Sequence, residues 1–211
     1  LRAYYFANVS MIDEKIGQIM EILEEKGYLE NSVVIFTSDH GDALGDHGHI
    51  QKWTMYDCST RVPLVVRCPD RFPEGKKVDG LVQQFDLAPA ILELAGVDVP
   101  ANWDAKSILP QLEGSTTEGR EYVFAEHGKD WKEFVFTGTE LMTMVRSKDW
   151  KLVHYLGEEY GELYDLVSDP AEKENLWDDS EYEVKKQELL KVLMDWRMES
   201  EYRASPSTIK R

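Results

Sequence analysis

The sequence has 211 residues, 42% of them hydrophobic, enough to bury the core of one large domain or of one domain and a smaller companion. Against 24 basic side chains stand 40 acidic ones, a formal net charge of −16 that repels phosphate backbones and excludes nucleic acid as an expected partner. The only cysteines, Cys58 and Cys68, make no disulfide framework, and no apolar run approaches the roughly 20 residues that span a bilayer.

In chain order, Leu1-Arg2-Ala3-Tyr4-Tyr5 runs straight into a helical pattern, without an initiator methionine or targeting segment. That suggests a sequence beginning inside a longer protein. Val9, Ile12, Ile16, Ile19, Met20 and Leu23 recur at helical spacing, and Gly27 is placed to end the helix. Val33-Val34-Ile35-Phe36 is apolar on both faces, the pattern of a buried parallel strand. A polar, glycine-containing loop from Ala43 to Tyr56 leads to a second strand, Val62 to Arg67. Asp86 is placed to cap a helix over Leu87 to Ala95, closed by Gly96. Pro100 to Gly119 reads as irregular, and a soft domain boundary falls near its end, separating residues 1–119 from 120–211.

Beyond it, four short strands are expected: Tyr122 to Ala125, Met142 to Arg146, Trp150 to Tyr155 and Glu162 to Leu166. Their short links favour antiparallel pairing. A helix from about Glu181 to Glu201, with Val184, Leu189, Val192, Leu193 and Trp196 on one side, should pack on that sheet. The loop after Glu126 and His127, with Trp131-Lys132-Glu133-Phe134, is open to two readings, a substrate-pocket wall or an ordinary surface loop.

The chemistry concentrates between Thr37 and Arg61. Three of the five histidines (His40, His47, His49) lie there beside Asp39, Asp42 and Asp46. Polar residues at the carboxyl end of a buried strand are where open α/β sheets place ligands. Asp39 and His40 are candidate ligands of a divalent metal; carboxylate oxygen suits Ca²⁺ or Mg²⁺, and imidazole leans towards Mn²⁺ or Zn²⁺. By pattern alone the same pair is also open to strand-end capping. The Lys52 ammonium can hold a sulfate or phosphate oxygen, or stabilise charge on a leaving oxygen.

The same segment resembles the C-terminal signature of the sulfatase family, within the alkaline-phosphatase-like superfamily. The matching pieces are Thr37 to Gly41, Gly45 to Gly48, Lys52, Tyr56-Asp57 and Arg61 to Leu64. The likeness continues through Asp86-Leu87-Ala88-Pro89, Arg146, Trp150-Lys151, Glu162 to Leu166, Asp169-Pro170 and Glu174-Asn175-Leu176. It covers nearly the whole chain in the expected order. The resemblance implies an α/β fold: the C-terminal part of a mixed or parallel sheet sandwich, plus a small antiparallel sheet packed on a C-terminal helix. It implies Asp39 and His40 as metal ligands, usually of Ca²⁺, with Mg²⁺ or Mn²⁺ as alternatives. Lys52 would contact the sulfate and bridging oxygen, and His47 would serve the catalytic pocket. Tyr56 and Arg61 are better read as packing and loop pairing. The substrate would be a sulfate ester, on a small molecule or a sugar.

Sulfatases of this family carry a formylglycine made from Cys or Ser in Cys/Ser-x-Pro/Ala-x-Arg. Cys58 has Val62 four residues on, and Cys68 has Phe72, so neither fits, and both read as small buried hydrophobes. The nucleophile and remaining ligands are therefore expected upstream. Related phosphonate monoester and phosphodiester hydrolases, and a catalytically silent interaction module, are the alternative readings.

Overall fold

The structure, a computed structural model, describes residues 1–128 and 141–204. It divides into two compact units, Leu1–Lys77 and Val78–Arg211.

The first unit opens with α1 (Arg2–Glu25). Its end follows from Gly27, whose φ of +69° is open to glycine at little steric cost. The chain then turns so that the amides of Lys26, Gly27 and Tyr28 bond to the carbonyls of Ile22, Glu24 and Leu23. The apolar stripe exists, but Ile16, Met20 and Leu23 are only half-buried, and Val9, Ile12 and Ile19 are exposed. Strand β1 (Val34–Thr37) pairs with β2 (Leu64–Arg67), Val34 opposite Arg67 and Thr37 opposite Leu64. The pairing is antiparallel, which corrects the expectation of a parallel neighbour. An apolar run records burial potential and not strand direction, and here Phe36 and Val65, opposite one another, are both exposed. The Thr37 hydroxyl donates to the Pro63 carbonyl at 2.9 Å and ties the ends of the two strands together.

In the second unit, Asp86 precedes the first α-helix. It was expected to cap α3 (Leu87–Leu94), but its side chain makes no cap bond to that helix. It is buried, and accepts from the amides of Gln83 at 2.9 Å and Lys106 at 2.8 Å and from Arg120 Nε at 2.7 Å. Four charge-assisted bonds, counting the second arginine nitrogen, offset the desolvation of the carboxylate. This pair joins residue 86 to residue 120 across 34 residues of chain. A short helix, α4 (Leu109–Glu113), lies within the stretch expected to be irregular. Five residues carry too little periodicity to announce a helix.

Strands β3 (Val123–Gly128), β4 (Leu141–Arg146), β5 (Trp150–Tyr155) and β6 (Gly161–Asp165) form an antiparallel sheet in chain order, as expected. Helix α5 (Glu183–Ala204) packs on it. Val145, Leu152 and Leu163 from the sheet meet Trp177, Leu189 and Leu193 in the core, and Phe124 stacks on Trp196 at 4.4 Å. Each fully buried leucine contributes about 1.5–3 kcal/mol. Val184, expected on the packed side, is 82% exposed. Trp131 to Phe134 lie outside the described residues.

The Asp-Pro and Glu-Asn-Leu pieces after β6 are builders of backbone. Asn175 Oδ1 accepts from the amides of Leu163 and Trp177, while its nitrogen donates to the Gly161 carbonyl. Asp169 accepts from the amides of Lys173 and Glu174. Beside them Lys151, wholly buried, pairs with buried Glu172.

Candidate active site

The site grows from the end of β1. Gly41 donates to the Ser59 carbonyl at 2.8 Å, against α2 (Asp57–Thr60). A Cβ at residue 41 would stand 1.9 Å from the Cys58 carbonyl oxygen, so only glycine allows this approach. The close contact fixes Asp39 and His40 in the turn just before it. Ser38 Oγ reinforces the turn by donating to the His40 carbonyl at 2.8 Å.

His40 Nδ1 lies 2.8 Å from the Gly41 carbonyl oxygen. A carbonyl can only accept, so Nδ1 carries a proton, and in the neutral form of the ring the lone pair is then on Nε2. That nitrogen is 3.4 Å from Asp39 Oδ2. Oδ2 and Nε2 thus face one another at an exposed corner, as an ion pair when the ring is protonated and as two lone-pair donors when it is neutral. The Asp39 carboxyl is held below its usual range, chiefly by the His40 backbone N–H, with the His40 ring and the Lys52 ammonium adding to the effect. Among the described residues no group of three or more His, Cys, Asp or Glu side chains could hold a metal ion; Asp39 and His40 stand together as a pair.

From Asp42 the chain winds through a tight loop. Leu44, Gly45, His47, Gly48 and Gln51 all have positive φ. Asp42 Oδ1 accepts from the amides of Leu44 at 2.8 Å and Gln51 at 3.1 Å, and the Ala43 amide donates to the Gln51 carbonyl at 2.9 Å. Ala43 is buried at the loop's neck. His47 stacks flat on Tyr56, ring centroids 3.7 Å apart and planes 5° apart. Lys52 emerges directly after the closure, exposed, its Nζ 5.9 Å from the Trp53 ring centroid. Arg61 Nη1 lies 3.8 Å from Asp57 Oδ2. Both cysteines are free thiols and half-buried, not the buried hydrophobes expected.

The turn and loop therefore place Asp39 and His40 together and return Lys52 to their vicinity. His47 is held on Tyr56. Sequence reasoning missed the loop-closing role of Asp42; an aspartate followed by small residues and glycines was the available signal.

The profile of the family described as "N-sulphoglucosamine sulphohydrolase, C-terminal" matches residues 45–199. The chain belongs to the sulfatase family. A second profile, of a protein family of unknown function, matches residues 2–87. Among curated sulfatases, the chain is 32% identical to the N-acetylglucosamine-6-O-sulfatase of Bacteroides thetaiotaomicron, over 90% of this chain and 34% of that protein. It is 34% identical to arylsulfatase K of Xenopus laevis, over 83% of this chain and 33% of that protein. The chain thus spans about a third of the length of these sulfatase relatives. The solved structure of BT4656 in complex with its substrate D-glucosamine-2-N,6-O-disulfate matches with a TM-score of 0.83 at 29% identity, covering 93% of this chain and 40% of that one. The phosphonate monoester hydrolase of Agrobacterium radiobacter matches with a TM-score of 0.81 at 27% identity, covering 91% and 40%. These neighbours bear out the alkaline-phosphatase-like α/β fold expected from the sulfatase signature.

Proposed function

We propose that this chain supplies half of the metal centre and the sulfate-binding lysine of a sulfuric ester hydrolase. The observation that carries the reading is the Asp39–His40 pair, with Nε2 and Oδ2 set 3.4 Å apart and Nδ1 tied to a carbonyl. Ca²⁺ ligands stand about 2.3–2.6 Å from the ion, so two atoms 3.4 Å apart can share one. Ca²⁺ is the ion that the sulfatase resemblance implies.

When bound, the metal supplies the charge that holds sulfate oxygens and activates the attacking oxygen. Asp39 and His40 would hold it, the atoms that face one another being Oδ2 and Nε2. Lys52 Nζ binds a sulfate oxygen and stabilises negative charge on the leaving oxygen as the ester bond breaks. His47, one face covered by Tyr56, hydrogen-bonds substrate through its ring edge. The further ligands and a formylglycine nucleophile belong to sequence beyond these residues. The relative named N-acetylglucosamine-6-O-sulfatase, and the neighbour holding a disulfated glucosamine, favour a sulfated amino sugar as substrate.

The second reading, a phosphonate monoester hydrolase, rests on the Agrobacterium neighbour. Assay of the intact protein with 4-nitrophenyl sulfate, D-glucosamine-2-N,6-O-disulfate and a phosphonate monoester separates the two. Sulfate release that stops with chelator and returns with Ca²⁺ is expected. Cleavage of the phosphonate ester alone would move the assignment to the second reading, and no cleavage of any ester would leave a silent module.

A further inference from the structure

Asp42 lies two residues beyond the metal pair, yet nothing above gives it a part in the chemistry. Its partners do. One oxygen, Oδ1, takes both the Leu44 amide at 2.8 Å and the Gln51 amide at 3.1 Å. The first bond is a local turn, but the second spans nine residues and closes the loop. The Ala43 amide completes the closure on the Gln51 carbonyl at 2.9 Å. Inside it, five residues with positive φ, three of them not glycine, hold a conformation that L-residues disfavour. Such a loop opens readily unless something fixes its ends. Lys52 is the next residue after the fixed end.

We propose that Asp42 is a positioning residue: by clamping the amides of Leu44 and Gln51 it sets where the Lys52 ammonium stands relative to Asp39 and His40. The inference rests on the sulfatase reading for Lys52, but the clamp itself does not. A carboxylate suits the task because each of its oxygens accepts more than one bond and none of its atoms must donate. The asparagine carbonyl oxygen can replace Oδ1 for both amides; alanine can replace neither.

The test is a double-mutant cycle in the intact protein, with turnover of 4-nitrophenyl sulfate, Ca²⁺ content and hydrogen exchange of peptides covering residues 42–52. Asp42→Ala should lower kcat about 10- to 100-fold, since displacing a catalytic group by about 1 Å costs that much. Ca²⁺ content should hold, and the Leu44 and Gln51 amides should exchange faster. Asp42→Asn should restore both turnover and protection. In a Lys52→Ala background, Asp42→Ala should lower kcat little further, because its effect passes through that lysine. Additive losses, a loss of Ca²⁺ with Asp42→Ala, or unchanged exchange in Asp42→Ala would each overturn the proposal. An inactive wild-type protein would instead defeat the sulfatase reading, and hydrogen exchange would still decide whether the clamp exists.

Discussion

Glu162 carries a charge that its surroundings oppose. Burial pushes its carboxyl above the usual range, although the Tyr155 hydroxyl donates to Oε1 at 2.6 Å and partly counters the shift. A carboxyl raised on folding contributes stability below its unfolded pKa, and that contribution is lost as pH rises through the folded value. Glu162→Gln keeps an acceptor for Tyr155 and removes the ionisation. Its melting temperature should exceed that of the wild type at pH 7 to 8, and the difference should shrink towards pH 4, as followed by thermal denaturation across pH. A difference independent of pH would contradict this reading. At this scale the sequence put Asp39, His40 and Lys52 forward as candidates, because polar side chains cluster after an apolar strand. It concealed Asp86 and Asp42. Their partners, Arg120 in one case and the Gln51 amide in the other, lie 34 and nine residues away, and no local pattern specifies which distant donor a carboxylate will find.

The elements of the small sheet were legible because short runs rich in apolar residues, turn residues and short links agree in β4, β5 and β6. The direction of β1 was not, since Val34 to Phe36 is equally compatible with parallel and antiparallel neighbours. Val184 was assigned to the packed face of α5 by spacing alone, although it sits in the helix's first turn and remains exposed. One element-scale consequence concerns Gly161, which begins β6. A Cβ there would come within 2.4–2.5 Å of three Trp177 ring atoms. The indole cannot retreat freely, because its Nε1 donates to the Glu159 carbonyl and its backbone amide to Asn175. Gly161→Ala should therefore destabilise the protein by about 1–3 kcal/mol, as overpacking in a filled core does. Urea unfolding monitored by tryptophan fluorescence would register this as a lower midpoint. An unchanged midpoint would mean that the Trp177 contact does not restrain the strand.

At the scale of the whole molecule, the chain matches about a third of the N-acetylglucosamine-6-O-sulfatase and arylsulfatase K sequences and shares the fold of the BT4656 structure over 93% of its own length. Within that span it sets Asp39 beside His40, with Lys52 exposed after the loop, in a chain whose net charge is −16. Binding a sulfate ester against that charge requires local positive charge, which Lys52 and a cation on Asp39 and His40 would provide. The most direct test compares metal content and turnover in the intact protein and its Asp39→Ala and Lys52→Ala variants. The expected result is stoichiometric Ca²⁺ in the wild type, its loss together with activity in Asp39→Ala, and retained Ca²⁺ with turnover about a hundredfold lower in Lys52→Ala. An Asp39→Ala protein that keeps both its metal and its activity would contradict the assignment.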